Sequence, residues 1–223
     1  MPRFTFLHGL AAAFLLVFFA MFAWQHPGAL GSRLKPAEIE RYLVGVERNI
    51  PGTPREKADA VARVRAWALA DDGRPFYMLN LMRFRPRVLA MPGGPPTSMT
   101  PEEANAIYEA KGLPTVLGLG GTAPFVGASQ GRAVLTIDAA EERWSRVLVV
   151  RYPNRRAFLK LVSDPGYGKL APYKLASLQI VLAPYAGGTQ TPDLTLATGA
   201  VLLLAYLAIG WWRAATRRDP TRN

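Results

Sequence analysis

No cysteine occurs in the 223 residues. That excludes disulfides, thiolate metal sites, cysteine nucleophiles and cysteine-borne lipids, and it leaves the redox compartment undecided, because a cysteine-free domain is stable in either. Histidine is almost as scarce. His8 and His26 both lie at the first apolar segment, so the interior of the chain lacks the usual general base, the usual metal ligand and any histidine ligand for haem. Catalytic triads and helical zinc motifs are absent. The Gly118-Leu119-Gly120-Gly121 cluster has neither the spacing nor the preceding strand of a dinucleotide-binding turn. No metal and no cofactor is expected. Acidic residues are outnumbered, 16 against 27 basic ones, for a net charge of +11. Between Arg33 and Thr191 the balance is 22 basic to 14 acidic, which reads as a solvated basic surface rather than a nucleic-acid footprint.

Two long runs carry no formal charge. Phe4 to Trp24 has 21 such residues and Leu194 to Trp212 has 19, lengths that suit a helix crossing a hydrocarbon core of about 30 Å. Both are expected to span a membrane, which makes the lipid bilayer an expected partner. The first run is longer than a signal-peptide core, and Met21 stands where a cleavage site wants a small residue, so an uncleaved anchor is favoured. Arg213, Arg217, Arg218 and Arg222 follow the second run, and no lysine or arginine occurs from Leu175 through Trp212. The excess of positive charge puts that end in the cytoplasm. The expectation is a two-pass protein with both termini cytoplasmic and its domain on the outer, periplasmic or extracellular side. Its parts are an anchor and linker over 1–32, a two-helix leader over 33–74, a domain over 75–186, a linker and second anchor over 187–212, and a basic tail over 213–223.

Within the leader, Ile39, Leu43, Val46 and Ile50 recur at helical spacing. Thr53-Pro54-Arg55-Glu56 then reads as a capping box with proline preset at the first helical position, and the helix it opens is expected to stop near Asp72-Gly73. Pro75 to Phe84 is apolar on both alternating faces, which predicts a central strand. Pro86, Pro92, Gly93, Gly94, Pro95 and Pro96 make the next stretch a long loop. Thr100-Pro101-Glu102-Glu103 repeats the capping logic, with a helix closed by Gly112 and a short continuation to Gly120-Gly121. Two strands near 124–129 and 132–137 flank Gln130-Gly131 as a hairpin. Trp144 to Tyr152 is a further strand. Asn154 introduces a helix with Phe158, Leu161 and Val162 on one face, Asp164-Pro165 breaks it, a helical turn around Lys169 to Tyr173 follows, and Ser177 to Ala183 is the last strand. This order predicts an α+β, ferredoxin-like sheet with helices on one face. The other face would stay bare and apolar, so a homodimer packed sheet to sheet is expected.

Met78 to Phe84 on the first strand, Gly120-Gly121, Trp144-Ser145-Arg146-Val147 running into Arg151 to Leu159, and Asp164-Pro165-Gly166-Tyr167 follow one another between Pro75 and Tyr185. By these residues the segment resembles the dimeric α/β-barrel proteins of the domain-of-unknown-function family thirteen-thirty. The resemblance implies a ferredoxin-like dimer and lends no reaction. The two apolar segments and the leader helices lie outside it.

Polar residues in apolar surroundings are the candidates for a site. Asn80 sits in the first strand on the face of Met78 and Met82, and a buried amide must find partners or cost about 1–3 kcal/mol. Partners from a ligand would make it pocket-lining; partners from backbone or water would make it structural. Arg83, Arg146 and Arg151 could clamp a carboxylate or reach the dimer rim and solvent. Tyr108, Trp144 and Tyr167 could shape a cavity or fill the core. Three functions stay open. They are binding of a small apolar or aromatic molecule or a partner protein without catalysis, cofactor-independent monooxygenase- or isomerase-like catalysis, and a structural part in an envelope complex.

Overall fold

The computed structural model describes residues 2–25, 33–131, 134–135, 143–187 and 194–216. Residues 1–187 form one compact unit and 188–223 another. In the first unit, helix α1 (Pro2–Gln25) precedes the leader helices α2 (Pro36–Asn49) and α3 (Pro54–Leu69). Then come β1 (Phe76–Phe84), α4 (Pro101–Gly118), β2 (Thr122–Ala128), β3 (Arg146–Tyr152), α5 (Arg155–Ser163), α6 (Pro165–Ser177) and β4 (Leu178–Ala186). The second unit contains helix α7 (Leu194–Thr216).

The four strands form one antiparallel sheet in the order β2-β3-β1-β4, with β1 inside it as its two-faced apolar pattern requires. This is the ferredoxin-like split βαβ order. The pleat sends Phe76, Met78, Asn80 and Met82 of β1 to the buried side, where α4, α5 and α6 lie. Tyr77, Leu79, Leu81, Val147, Val149, Val181 and Phe125 take the opposite parity. On that second face Tyr77, Leu79, Leu81, Val147 and Val149 are half-buried, and Phe125 and Val181 are exposed.

Both capping boxes form: Thr53 with Glu56 and Thr100 with Glu103 each close reciprocally. Asn154 caps α5 by accepting from the Ala157 amide. Helix α5 is a middle layer. Leu159 and Leu161 are both fully buried, yet two residues on a helix point about 200° apart. Leu161 joins Phe76, Met78, Val150 and Tyr152 above the sheet, whereas Leu159 joins Leu34, Ile39, Leu43, Val46 and Val61 of the leader. Trp67 of α3 reaches the sheet core as well, edge-on to Phe76 at 5.0 Å and to Phe158 at 5.5 Å. Glu38 and Arg156 join α2 to α5 through hydrogen bonds of 2.7 and 3.0 Å. Gly45 marks the closest approach, since a Cβ there would stand 2.5 Å from the Ser163 carbonyl oxygen.

Several expectations need correction. The two charge-free runs are helical, as α1 and α7, but no helix among the described residues is long and apolar enough to cross a membrane. The expected anchors, the two-pass arrangement and the outward-facing location are overturned by that finding. Freedom from formal charge is a weaker condition than the one a membrane crossing sets, which is length and apolarity together. Arg217, Arg218 and Arg222, on which the orientation rested, lie outside the described residues. The second strand of the expected hairpin falls mostly outside them too, and β2 pairs with β3 instead. Helix α4 does not close at Gly112 but runs to Gly118 with Pro114 inside it. Asp164-Pro165 is not only a breaker. Asp164 caps α6 by accepting from the Tyr167 amide, with Pro165 at the first position, so a full helix stands where a single turn was predicted.

Candidate functional site

Between the sheet and helices α4 and α6 lies a cavity of about 240 Å³. For scale, an engineered apolar cavity of about 150 Å³ takes benzene, so this one suits a single substituted ring. Its walls are mainly apolar, including Met78, Val116, Leu148, Val150, Phe158 and Leu182. A few polar groups converge on it, and they come from four elements, β1, β3, α4 and α6.

The sheet supplies Asn80, whose amide nitrogen donates to the carbonyls of Met78 at 3.0 Å and Leu148 at 3.1 Å. Both donors are thereby spent and the side chain is locked. Its oxygen accepts from the Lys174 amine of α6 at 3.0 Å. Lys174 is buried, and that bond to a neutral amide is the one hydrogen bond of its side-chain amine among the described residues. The amine also stands 5.1 Å from the centre of the Tyr108 ring, a contact that favours a cation. Burial disfavours the charged form more strongly and brings its pKa down to about 8, partly opposed by the negative charge of Glu109 and aided by the positive charge of Arg146.

Helix α4 presents Asn105, Tyr108, Glu109 and Gly112 along one stripe at helical spacing. Glu109 accepts from Arg146 of β3 at 2.7 Å and from the Asn105 amide at 3.0 Å, so this carboxylate is turned to Arg146 rather than to Lys174. The Asn105 side-chain oxygen is buried without a hydrogen-bond partner among the described residues. A Cβ at Gly112 would meet the Tyr108 ring at 3.4 Å, an ordinary contact. The Tyr108 and Tyr167 hydroxyls share a hydrogen bond of 2.8 Å. Burial raises the pKa of Tyr108, Tyr152 and Tyr167 above the ordinary tyrosine value and keeps all three protonated at neutral pH. Among the described residues no group of three or more His, Cys, Asp or Glu is placed to hold a metal.

Of the sequence candidates, Asn80, Tyr108, Arg146 and Tyr167 line this cavity. Arg83 and Arg151 do not. Arg151 is opposite Tyr77 and Arg146 is opposite Met82 in the ladder, and their odd separation puts them on different faces of the sheet. Arg83 takes the outer parity too and donates to the Gln179 side chain at 2.7 Å. No three-arginine clamp exists. Trp144 is half-buried just before β3 and is not in the cavity wall. Lys174, Glu109 and Asn105 were missed. The signal for the last two was the Asn105, Tyr108, Glu109, Gly112 stripe; for Lys174 it was the seven-residue spacing from Tyr167, two helical turns.

Comparison with known proteins adds a fold likeness. No family model and no curated protein matches the chain. The crystal structure of RPA0582, a protein of unknown function from Rhodopseudomonas palustris, is similar at 27% identity and a TM-score of 0.50, covering 63% of this chain and 98% of that one. The methylated form of the same protein gives 28% identity and a TM-score of 0.50, covering 65% and 97%. SnoaB, a cofactor-independent oxygenase from Streptomyces nogalater, shares 12% identity at a TM-score of 0.31, covering 54% and 99%. A likeness of that size carries no argument about this chain.

Proposed function

We propose that the domain binds a small, single-ring-sized apolar or aromatic molecule bearing an oxygen acceptor, held in the cavity with its oxygen at Lys174. The observation that carries this reading is the buried amine. A lysine placed in an apolar cavity with one neutral hydrogen-bond partner has donors to spare, and an unmet donor of that kind costs free energy unless something in the cavity accepts from it. Asn80, fixed by two backbone carbonyls, holds the amine in place. Membership of family thirteen-thirty belongs to the same reading, supported by the placement of its Met78 to Phe84 segment as β1, and adds no reaction.

The test is a thermal-shift panel on the full chain, pairing aromatic ketones, aldehydes, phenols and carboxylates with their parent hydrocarbons. Oxygenated rings are expected to stabilise the protein, by about 2.7 kcal/mol at a hundredfold excess over Kd, and the hydrocarbons to do so less. Equal shifts for both sets would remove Lys174 from the account.

A second copy of this chain is the proposed cover for the open face of the sheet. Support comes from its apolar rows, Tyr77, Leu79 and Leu81 on β1 and Val147 and Val149 on β3, with Arg83 and Arg151 set at opposite ends. Two such faces are self-complementary about a two-fold axis. Light scattering of the full chain should give twice 24.4 kDa, and Leu79→Asp, which puts a charge in the middle of the face, should give the monomer mass. A monomeric wild type would overturn the proposed pairing.

A further inference from the structure

We infer that Lys174 is a covalent amine site: its Nζ captures aldehydes or ketones of single-ring size as an imine. The inference rests on the binding reading above and goes beyond it, from holding an oxygen to bonding the carbon that carries it. Four features of the cavity combine to support it.

The amine lines a partly open, mainly apolar cavity able to hold the carbonyl compound beside it. Among the described residues no carboxylate is in ion-pair reach of it. Glu109, in the cavity wall, is engaged by Arg146 and Asn105, so the lone pair is not consumed by a permanent ammonium–carboxylate pair with it. Asn80 holds Nζ from one side through a single hydrogen bond. Finally, the linked hydroxyls of Tyr108 and Tyr167 stay protonated and line the same space, and they can donate to a carbonyl oxygen as it gains charge.

The step is balanced without any co-reactant. The Nζ lone pair forms a bond to the carbonyl carbon while the C=O π pair moves to oxygen, giving a carbinolamine. The second N–C bond then forms as the C–O bond breaks. The two protons that leave Nζ depart with the oxygen as one water molecule, and nothing is oxidised or reduced. The polar and titratable groups that line the cavity with Nζ are Asn80 of β1, Tyr108 and Glu109 of α4, Arg146 and Tyr152 of β3, and Tyr167 of its own helix. Arg146 and burial favour the neutral nucleophile; Glu109 opposes them.

The experiment treats the full chain at pH 7 with limiting 4-hydroxybenzaldehyde or acetophenone, reduces with sodium borohydride, and maps the secondary amine by peptide mass spectrometry. The chain has six lysines, Lys35, Lys57, Lys111, Lys160, Lys169 and Lys174, so the other five are internal controls. The expected result is label at Lys174 exceeding that at any other lysine by about tenfold or more, as the lower pKa of the buried amine implies. In Lys174→Arg, which keeps a donor for Asn80, that excess should vanish while the circular dichroism spectrum is unchanged. Label spread evenly over the six lysines would overturn the inference. Stabilisation by the same compounds without label at Lys174 would also overturn it and leave the binding reading standing; neither label nor stabilisation would overturn both.

Discussion

Leu159→Ala lowers the stability of the protein by about 3 kcal/mol, within the usual range for emptying a fully buried leucine site, and drops Tm by roughly 10 °C for a domain of this size. The expectation follows from position. Leu159 is completely buried, and its contacts are with the leader, not with the sheet. It stands where Ile39, Leu43 and Val46 of α2 meet α5. An appended linker would tolerate that loss. Here the same α5 carries Leu161 and Ala157 against the sheet, and Trp67 of α3 packs on Phe76, so loosening α2 also loosens the back of the cavity wall at Phe158. Urea denaturation measures the effect; a change below about 0.5 kcal/mol would mean that the leader does not share the core.

The stability of the protein rises by about 2 kcal/mol between pH 7 and pH 9.5, and Lys174→Met abolishes the rise. Lys174 has a folded pKa of about 8 against an ordinary value near 10.4. Between those two values the unfolded chain binds more protons than the folded one, so stability increases with pH across that window. Below pH 8 both states are protonated and the penalty of a buried ammonium is fully present. Above about pH 10 the tyrosines act the other way. Tyr108, Tyr152 and Tyr167 have raised folded values, so the unfolded chain loses protons first and stability falls again. The profile is therefore a rise and then a decline. Chemical denaturation at half-unit pH intervals gives both limbs. The same slope in wild type and Lys174→Met between pH 8 and 9.5 would assign the rise to some other group.

Much of the scaffold was legible because local chemistry and tertiary packing agree there. Thr53 with Glu56, Thr100 with Glu103, and Asn154 each begin a helix where the sequence signals it, and the unbroken apolar run of β1 marks a strand inside the sheet. Helix α6 was not legible. Its sequence holds Pro165, Gly166, Gly168 and Pro172, which by propensity alone argue against a helix. Tertiary contact overrides propensity at Gly168, where a Cβ would stand 2.3 Å from the Asn49 side-chain oxygen; that close approach to the leader needs a residue without a side chain. Reading α6 as a turn removed the register that places Lys174 with Tyr167, and with it the centre of the site.

The arginines teach a second point. Arg146 and Arg151 look like a pair in the sequence, yet strand parity sends one to Glu109 and the cavity and the other to the far face. Asn80 shows that the two readings offered for it were not exclusive. Its nitrogen is satisfied structurally by backbone, and its oxygen faces the lysine in the cavity. Charge-free length misled in the opposite direction, since no helix among the described residues is long and apolar enough to cross a membrane.

The most direct test of the cavity as a ligand site is a calorimetric titration of the full chain at pH 7 with the best oxygenated ring from the panel, repeated on Lys174→Met. One molecule per chain should bind, and the substitution should weaken it about tenfold or more, the loss expected for a hydrogen bond to a charged donor. Binding with the same affinity in both proteins, or no binding of any ring-sized compound to the wild type, would contradict the account.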